Sequence, residues 1–526
     1  MKNFQGYSTL IFFITILAIG FLSVDNYGTT NDEYTQRLSG FITLNYLGEL
    51  FLPEITNKYT FDKNFPSFDN MPDQLRYYGG TILHTPLAFL EILFGIEDKK
   101  NIFLFKHYIY FTIYFLSLIC FFDILKKRYK NWKYGILGVV LLFLSPRIFA
   151  NSFYNNLDIP FMAFLLIATC FGLRFLNKPN KKYIFLFSLF SAISIDIRLI
   201  GILLPFFICT TFLINGFKKK DLKKTLLTLI SVFLLTIFMI ILFWPMLWEN
   251  PIQNMIKVIL NLANHPLNLN VFFLGKIISV TDVPWYYLFT WIFISTPILN
   301  ISLFFFGILT FLTILFGINK RMKLKDLDIN FIFLIFVPIL IPIILGSTLY
   351  NGWRHVYFIY PYMVYFMVFF VFFIIEKIDL KKFRFIPQIV LIIGLLDVGF
   401  WMIKNHPHQY VFFNKIFRKN ISKSFELDYI AASYKENLDY LVNFEKRDSY
   451  FIFNSSKTDI WYPLFSLKDS DRLKIIESKK EDAEYWITNY WFDDNIYDKN
   501  FFDKYEIVNE VLVDGNKINS LFKRKN

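Results

Sequence analysis

The chain has 526 residues, of which 55% are hydrophobic, 21% aromatic and only 18% charged. An ordinary soluble protein has about a quarter charged residues, so this composition excludes that class and predicts a multi-span α-helical membrane protein. The formal net charge is +13, but the basic residues lie in short loops between apolar segments, as is typical of membrane topology. No nucleic-acid partner is therefore predicted.

The apolar segments are long enough to cross a bilayer, since about 17–25 residues suffice. They predict about eleven transmembrane helices, including single spans at 134–150 and 286–316, and the first segment is predicted to be a retained span. With a cytoplasmic N-terminus, all the basic loops fall on the cytoplasmic side of the cell (inner) membrane. These loops are 126–133, 178–182, 218–224, 320–325 and 377–384.

Two domains are predicted. Residues 1–404 form a transmembrane domain with a large, polar first extracytoplasmic loop at 25–100, whose apolar pieces resemble interfacial helices. Residues 405–526 regain charges and shorter apolar runs, and they predict a small extracytoplasmic α/β domain. In that domain, 428–444 is predicted to be helical, and 450–453, 483–488 and 505–513 are predicted strands.

The first candidate site is the acidic pair Asp32 and Glu33, just after the first span. A carboxylate there could act as the base that activates an acceptor hydroxyl. The alternative is two solvated loop acids. Because carboxylate oxygens also bind divalent cations, a metal cofactor stays open.

The second candidate site joins two spans on the outer side and contains Arg147 and Asp158. Topology disfavours arginine there, and its planar guanidinium suits phosphate. Asp158 begins a span, so stabilising the N-terminus of that helix is its alternative role. At another outer turn, Asp196 and Arg198 are expected to pair with each other.

The third candidate site is the sequence Trp353-Arg354-His355 at an outer membrane boundary. Arg354 and His355 could hold a lipid phosphate or pyrophosphate, and the alternative is anchoring among lipid headgroups. His406 and His408 have metal-like spacing, but Pro407 lies between them and no acid is close in sequence, so a metal site is not predicted there.

These motifs occur together, and in this order, in a known family. The chain resembles the polyprenyl-phosphate-sugar-dependent glycosyltransferases of the C-type membrane fold (GT-C), nearest the bacterial protein O-mannosyltransferase-like branch, glycosyltransferase family 39. Besides the sites above, the resemblance is carried by the following segments: 75–80, 145–147 with 158–161, 281–287, 352–355, 406–414 and 425–434.

The resemblance implies Asp32 as the catalytic base and Glu33 as its partner. It implies Arg147 and Arg354 as donor-phosphate ligands assisted by His355, and a reaction that inverts the anomeric carbon. Further substrate-binding candidates are Asp158, Tyr78 and Trp353.

The predicted function is transfer of a sugar from a polyprenyl-phosphate donor to a hydroxyl of a glycan, lipid or protein acceptor on the extracytoplasmic face. One alternative is a transporter or flippase of lipid-linked sugars, for which internal symmetry and charges at the bilayer midplane would be expected. Another is a membrane glycan polymerase or ligase that uses a pyrophosphate-linked donor.

Overall fold

The computed structural model describes residues 2–54, 66–71, 79–263, 269–378, 385–491 and 500–525. Within these residues, nine helices are long and apolar enough to cross a membrane, or ten when a bent pair is counted as one span. The predicted fold class is confirmed: a multi-span helical protein is followed by a small C-terminal sheet domain.

The helices of the bundle and its connecting segments are numbered in chain order. They are α1 Lys2–Ser23, α2 Asn31–Phe51, α3 His84–Leu93, α4 Lys99–Tyr129, α5 Trp132–Phe143, α6 Pro146–Tyr154, α7 Asp158–Asn177, α8 Lys181–Ile197, α9 Leu203–Lys218, α10 Leu222–Phe243, α11 Pro251–Ala263, α12 Tyr287–Ser295, α13 Ile298–Leu315, α14 Asp326–Leu345, α15 Tyr360–Lys377 and α16 Phe385–Lys404. The sequence predicted about eleven spans, one more than these ten, because it also counted α8, a helix of 17 residues.

Helix α15 lies inside the bundle, where residues 356–369 are all buried. A helix that is apolar on every face is expected at such a central position. A Cβ atom on Gly307 of α13 would lie 2.1 Å from the carbonyl oxygen of Phe366 in α15, so the absence of a side chain at Gly307 allows the two helices to pack closely. By contrast, α10 and α16 expose many large apolar side chains, as lipid-facing helices do.

Prolines break both of the long spans singled out from the sequence. The segment predicted at 134–150 is the pair α5 and α6, bent by 72°. Ser145 is extended and Pro146 occupies the start of α6, where its missing N–H group costs nothing. The segment predicted at 286–316 is broken at Pro297 between α12 and α13. Asn414 Nδ2 donates to the freed carbonyl of Phe293 at 2.8 Å.

Polar contacts join the ends of α4, α9 and α14 at one end of the bundle. We call this the basic end, because basic loops lie beside it. Arg128 Nη2 of α4 contacts Asp328 Oδ2 of α14 at 2.8 Å. Asn215 Nδ2 of α9 donates to Asp326 Oδ2 of α14 at 2.7 Å. The helix ends joined here flank the basic loops 126–133, 218–224 and 320–325.

The strands form two sheets, and their bounds are β1 Asn270–Phe273, β2 Lys276–Ser279, β3 Tyr450–Asn454, β4 Ile475–Glu477, β5 Tyr485–Thr488, β6 Tyr505–Val513 and β7 Asn516–Arg524. Strands β1 and β2 form an antiparallel hairpin. The C-terminal sheet has the order β4-β3-β5-β7-β6, in which β3 is parallel to both of its neighbours. The three predicted strands are confirmed, whereas β4 and β7 were not predicted.

The C-terminal sheet domain contacts the bundle at the end opposite the basic end. Trp401 Nε1 of α16 donates to Asp514 Oδ2 in the turn between β6 and β7 at 2.8 Å. The backbone N–H of Asp469 donates to Asp98 Oδ2, at the start of α4, at 2.9 Å. Between sheet and bundle lies the short helix α17, Tyr434–Tyr440.

Candidate active site

Asp32 and Glu33 lie in the first turn of α2 rather than in a loop. The backbone N–H of Thr30 donates to Glu33 Oε2 at 2.8 Å, which forms a capping box together with the Thr30 side chain. A threonine followed three residues later by glutamate is the usual signature of this motif. The sequence therefore contained the signal that α2 begins here, although the prediction placed a loop at this position.

The Asp32 carboxylate faces the segment that carries the third predicted site. Its Oδ2 atom accepts a hydrogen bond from Arg354 Nη1. The Asp32 side chain is 48% exposed, whereas that of Arg354 is 9% exposed. Asn156 Nδ2, from the loop before α7, donates to the Asp32 backbone carbonyl at 3.1 Å. The first predicted site thus lies next to the other two.

Glu33 points away from Asp32 into the protein. Its Oε1 atom lies 2.7 Å from His107 Nε2 of α4, and both side chains are nearly fully buried. With one oxygen on the Thr30 backbone and the other on His107, Glu33 ties the start of α2 to α4. These contacts hold the first turn of α2, which also carries Asp32, against α4.

A second buried ionic group holds α2 one turn further along. Arg37 Nε donates to both carboxylate oxygens of Glu91, each at 3.1 Å. Lys106 Nζ of α4 lies 3.3 Å from Glu91 Oε2. Because a buried carboxylate paired with two cations is costly to rearrange, these contacts fix α2 against α3 and α4.

Arg147 is buried at the start of α6, with 2% of its surface exposed. Its Nε donates to the Phe412 carbonyl at 3.0 Å, and its guanidinium carbon lies 4.8 Å from the centre of the Phe413 ring. Among the residues that the structure describes, neither Nη1 nor Nη2 has a hydrogen-bond partner. A buried guanidinium with two unused donor nitrogens is suited to bind an anion.

Arg354 is positioned by the residues that precede it. Gly352 has a φ of +71°, which glycine adopts without strain. Trp353 Nε1 donates to Ser295 Oγ, at the end of α12, at 2.7 Å. The rings of His355 and Tyr350 pack edge to face at a centroid distance of 4.6 Å. Trp353 is buried, and its contact with α12 fixes the backbone just before Arg354.

Asp158 combines a helix-terminal position with an ion pair. Its backbone N–H donates to Asn155 Oδ1 at 2.7 Å, and its carboxylate pairs with Arg198. Asp196 instead accepts the N–H of Ile82 at 3.0 Å. The expected pairing of Asp196 with Arg198 was therefore wrong, because Arg198 reaches across to α7.

The two histidines of the segment after α16 have separate partners. His408 Nε2 lies 2.8 Å from Glu436 Oε2 of α17, and His406 Nε2 lies 2.6 Å from Asn26 Nδ2. Among the described ranges, no group of three or more His, Cys, Asp or Glu side chains has the arrangement of a metal site.

Glu426 belongs to a motif quoted for the family resemblance, but no role was predicted for it. Its side chain is buried, and Trp491 Nε1 lies 3.4 Å from its Oε2. Burial raises the pKa of Glu426 to about 7, while hydrogen bonds and the charge of Arg147 act in the opposite direction. The available signal was an acid flanked by apolar residues in the sequence Phe425-Glu426-Leu427.

Tyr429, three residues later, lies near both Arg147 and Arg354. Burial raises the pKa of its phenol, and the positive charges of Arg147 and Arg354 oppose that rise. One side chain is therefore within electrostatic reach of both guanidinium groups. Tyr78, the remaining predicted substrate contact, lies outside the described residues.

Comparison with known proteins finds a family match over part of the chain. Residues 93–244 match the family described as dolichyl-phosphate-mannose-protein mannosyltransferase. Over these residues, the match confirms the predicted family resemblance. The matched segment runs from the end of α3 to the end of α10 and includes Arg147 and Asp158. At the coarse level, the family match also supports the prediction of an integral membrane glycosyltransferase.

Two crystal structures of ArnT from Cupriavidus metallidurans are similar to the chain, each at 9% sequence identity and with 98% of both chains covered. The TM-score is 0.49 for the apo state and 0.47 for ArnT bound to undecaprenyl phosphate. No curated protein matches the chain.

Proposed function

We propose that the protein transfers a sugar from a polyprenyl-phosphate donor to an acceptor hydroxyl on the extracytoplasmic face of the cell membrane, with inversion of the anomeric carbon. The observation that supports this most is the position of Asp32. A half-exposed carboxylate lies beside Arg354, and Arg147 lies at the same end of the bundle with two unused donor nitrogens.

Asp32 acts as the general base in this proposal. It takes the proton of the acceptor hydroxyl as the acceptor oxygen forms its bond to the anomeric carbon. Glu33 and His107 hold the first turn of α2, so that the carboxylate keeps its direction during the reaction. Attack on the face opposite the phosphate gives inversion in a single displacement.

Arg147 and Arg354 stabilise the leaving group. As the bond between the sugar and phosphate breaks, negative charge grows on the phosphate oxygens. Fixed guanidinium donors at a buried site stabilise that charge more strongly than water-exposed groups would. We assign His355 an assisting role at the phosphate, while Trp353 supports Arg354 and Asp158 orients Arg198 near the substrate. Tyr78 is kept as a proposed substrate contact.

The proposed side of the membrane follows from the distribution of charge. The basic end of the bundle is opposite the end that holds Asp32 and the sheet domain. Because short loops rich in lysine and arginine stay in the cytoplasm, the site and residues 405–526 are assigned to the extracytoplasmic face, with the N-terminus inside.

The test uses purified protein in lipid nanodiscs, radiolabelled polyprenyl-phosphate sugars and a panel of glycan, lipid and peptide acceptors. We expect sugar transfer by the wild-type protein and a loss of about 10²–10⁴-fold in the Asp32→Asn variant, the range for removal of a general base. The matched control is Asp25→Asn, since Asp25 is also exposed and lies just before α2. In a parallel assay in sealed liposomes, donor movement across the bilayer without transfer, equal in the wild type and Asp32→Asn, would instead indicate a transporter.

A further inference from the structure

Three aromatic side chains lie at the contact between α2 and the C-terminal domain, next to Asp32. Tyr34 follows Asp32 by two residues, and its ring lies 4.8 Å from the ring of Trp461 and 6.1 Å from that of Tyr462, between ring centroids. We call Tyr34, Trp461 and Tyr462 the aromatic platform. It combines one residue of the bundle with two of the domain.

The inner part of this contact is buried, whereas its outer part is open to solvent. Phe465 is 2% exposed and packs between Tyr34, at 5.7 Å, and Phe103 of α4, at 5.5 Å. Trp461 lies on the outer side of this stack and is 41% exposed. Trp461 thus packs against neighbouring rings and still offers part of its own ring to a ligand.

The platform is fixed relative to Asp32 by contacts on the residues before it. Thr29 Oγ1 donates to the Tyr462 carbonyl at 2.8 Å. A Cβ atom on Gly28 would lie 2.9 Å from Lys435 Cβ in α17, so the chain passes against the domain without room for a side chain. The loop that leads into Asp32 is thus docked on the segment that carries Trp461.

The charges near the platform limit what it can bind. Burial raises the pKa of the Tyr462 phenol, and the negative charges of Asp459 and Asp32 raise it further. Two carboxylates therefore lie within electrostatic reach of the platform. The Arg472 guanidinium carbon also lies 5.8 Å from the centre of the Phe465 ring, which packs on Tyr34. Charges of both signs are therefore close, and the platform suits a neutral ligand better than a charged one.

Neutral sugar rings fit both properties. A pyranose ring presents C–H groups on its faces, which pack against the negative face of an aromatic ring. Its hydroxyl groups remain at the edges, where a carboxylate can accept their hydrogen bonds. A ring packed on the exposed side of Trp461 would lie near Tyr462, whose phenol is within electrostatic reach of Asp32, and would bring an acceptor hydroxyl toward that carboxylate.

We propose that Tyr34, Trp461 and Tyr462 form the acceptor subsite and bind a neutral sugar ring of a glycan acceptor beside Asp32. This inference rests on the proposed transferase function and identifies the acceptor class as a glycan. It also gives the C-terminal domain a direct part in acceptor choice.

Binding is measured first, because it does not depend on catalysis. The full-length protein in nanodiscs is titrated with the trisaccharides of N-acetylglucosamine, mannose and galactose and with a glycerol phosphate headgroup analogue, followed by saturation-transfer NMR and tryptophan fluorescence. We expect at least one neutral trisaccharide to bind, with at least tenfold weaker binding in Trp461→Ala and nearly unchanged binding in Trp461→Phe. The matched control is Phe444→Ala, because Phe444 is an exposed aromatic of the same domain that stacks on Tyr440.

Transfer kinetics then separate this inference from the proposed function. Trp461→Ala should raise the KM for the glycan acceptor at least tenfold while the Kd of the donor stays unchanged. If the wild type transfers no sugar but Trp461 still governs saccharide binding, the transferase proposal fails and the subsite stands. The subsite is overturned if no neutral trisaccharide binds, if only the phosphate analogue binds, or if Trp461→Ala binds as the wild type does.

Discussion

Arg354 Nη1 donates a hydrogen bond to Asp32 Oδ2, although 322 residues separate the two in the chain. The proposed base and a proposed phosphate ligand are therefore counter-ions of each other. A donor phosphate bound to Arg354 would replace Asp32 in that pairing and leave the carboxylate available to accept a proton. Under the proposed function, this arrangement would link donor binding to activation of the base.

The link predicts opposite effects of Asp32→Asn on binding and on transfer. The amide lacks the negative charge that competes with phosphate for Arg354. The Kd of the polyprenyl-phosphate sugar should therefore decrease about fivefold, which corresponds to about 1 kcal/mol for a partly exposed ion pair, while transfer is lost. Equilibrium binding of radiolabelled donor in nanodiscs measures the effect, with Asp25→Asn as control. Weaker donor binding by Asp32→Asn would contradict the proposed competition.

Arg147→Lys tests whether the two unused guanidinium nitrogens bind phosphate. Lysine keeps the positive charge but lacks the planar fork that matches phosphate oxygens. We expect the donor Kd to rise about tenfold, or about 1.4 kcal/mol, within the range for one hydrogen bond to a charged group. Arg174→Lys is the matched control, since Arg174 pairs with Asp123 away from the site. Equal donor affinity in Arg147→Lys and the wild type would exclude Arg147 from the phosphate site.

The position of Arg147 shows what the apolar pattern alone could predict. An arginine on the outer side of the bundle is against the usual distribution of charge, and this marked the residue as a candidate site. Its burial depends on the bend at Ser145 and Pro146, which the pattern of apolar residues concealed because both arms of the bend are apolar. The chemistry of Arg147 could be inferred from its residue type and from the topology. The direction of its side chain could not, because it depends on the break between α5 and α6.

Contacts between distant segments were beyond sequence reasoning for a different reason. Periodicity describes one element at a time, so it could not pair Glu33 with His107 or Tyr34 with Trp461. The local capping box at Thr30 was readable, because its two partners are three residues apart. The strands β3, β5 and β6 were predicted from their apolar runs, whereas β7 contains more polar residues and depends on pairing with both of its neighbours.

The raised pKa of Glu426 predicts a pH dependence of stability. Its pKa is about 7 in the folded protein against an ordinary value of 4.5, so the native state retains the proton over this interval. The stability contributed by the neutral carboxyl is therefore fully present below about pH 4.5 and is lost as pH rises through about 7. Thermal unfolding of nanodisc samples from pH 4.5 to 8 should show a larger decrease for the wild type than for Glu426→Gln.

Donor affinity should follow the same titration. An ionised Glu426 would compete with phosphate for Arg147, so the donor Kd of the wild type should rise above about pH 7, whereas that of Glu426→Gln should stay level. The sugar phosphodiester keeps one charge throughout this range. Glu484→Gln serves as control, since Glu484 is exposed and pairs with Arg447. Parallel pH profiles in the wild type and Glu426→Gln would contradict the assignment.

The basic end of the bundle provides a prediction about stability alone. Arg128 Nε and Nη2 contact the two oxygens of Asp328 at 3.1 and 2.8 Å, and the Asp328 side chain is fully buried. Asp328 Oδ2 also accepts the backbone N–H of Lys325 at 2.7 Å. Asp328→Asn would leave a buried guanidinium without a counter-ion, and we expect it to lower the free energy of unfolding by about 3–5 kcal/mol.

Changing both partners should be less harmful than the sum of the single changes. In Asp328→Asn combined with Arg128→Gln, no charge remains buried, so part of the lost stability should be recovered. Steric trapping in bicelles measures these free energies, and donor binding should change little because the site is at the other end of the bundle. Asp123→Asn is the control: its pair with Arg174 is partly exposed and should contribute less than about 1 kcal/mol. Additive losses in the double variant would show that Arg128 and Asp328 stabilise the fold independently.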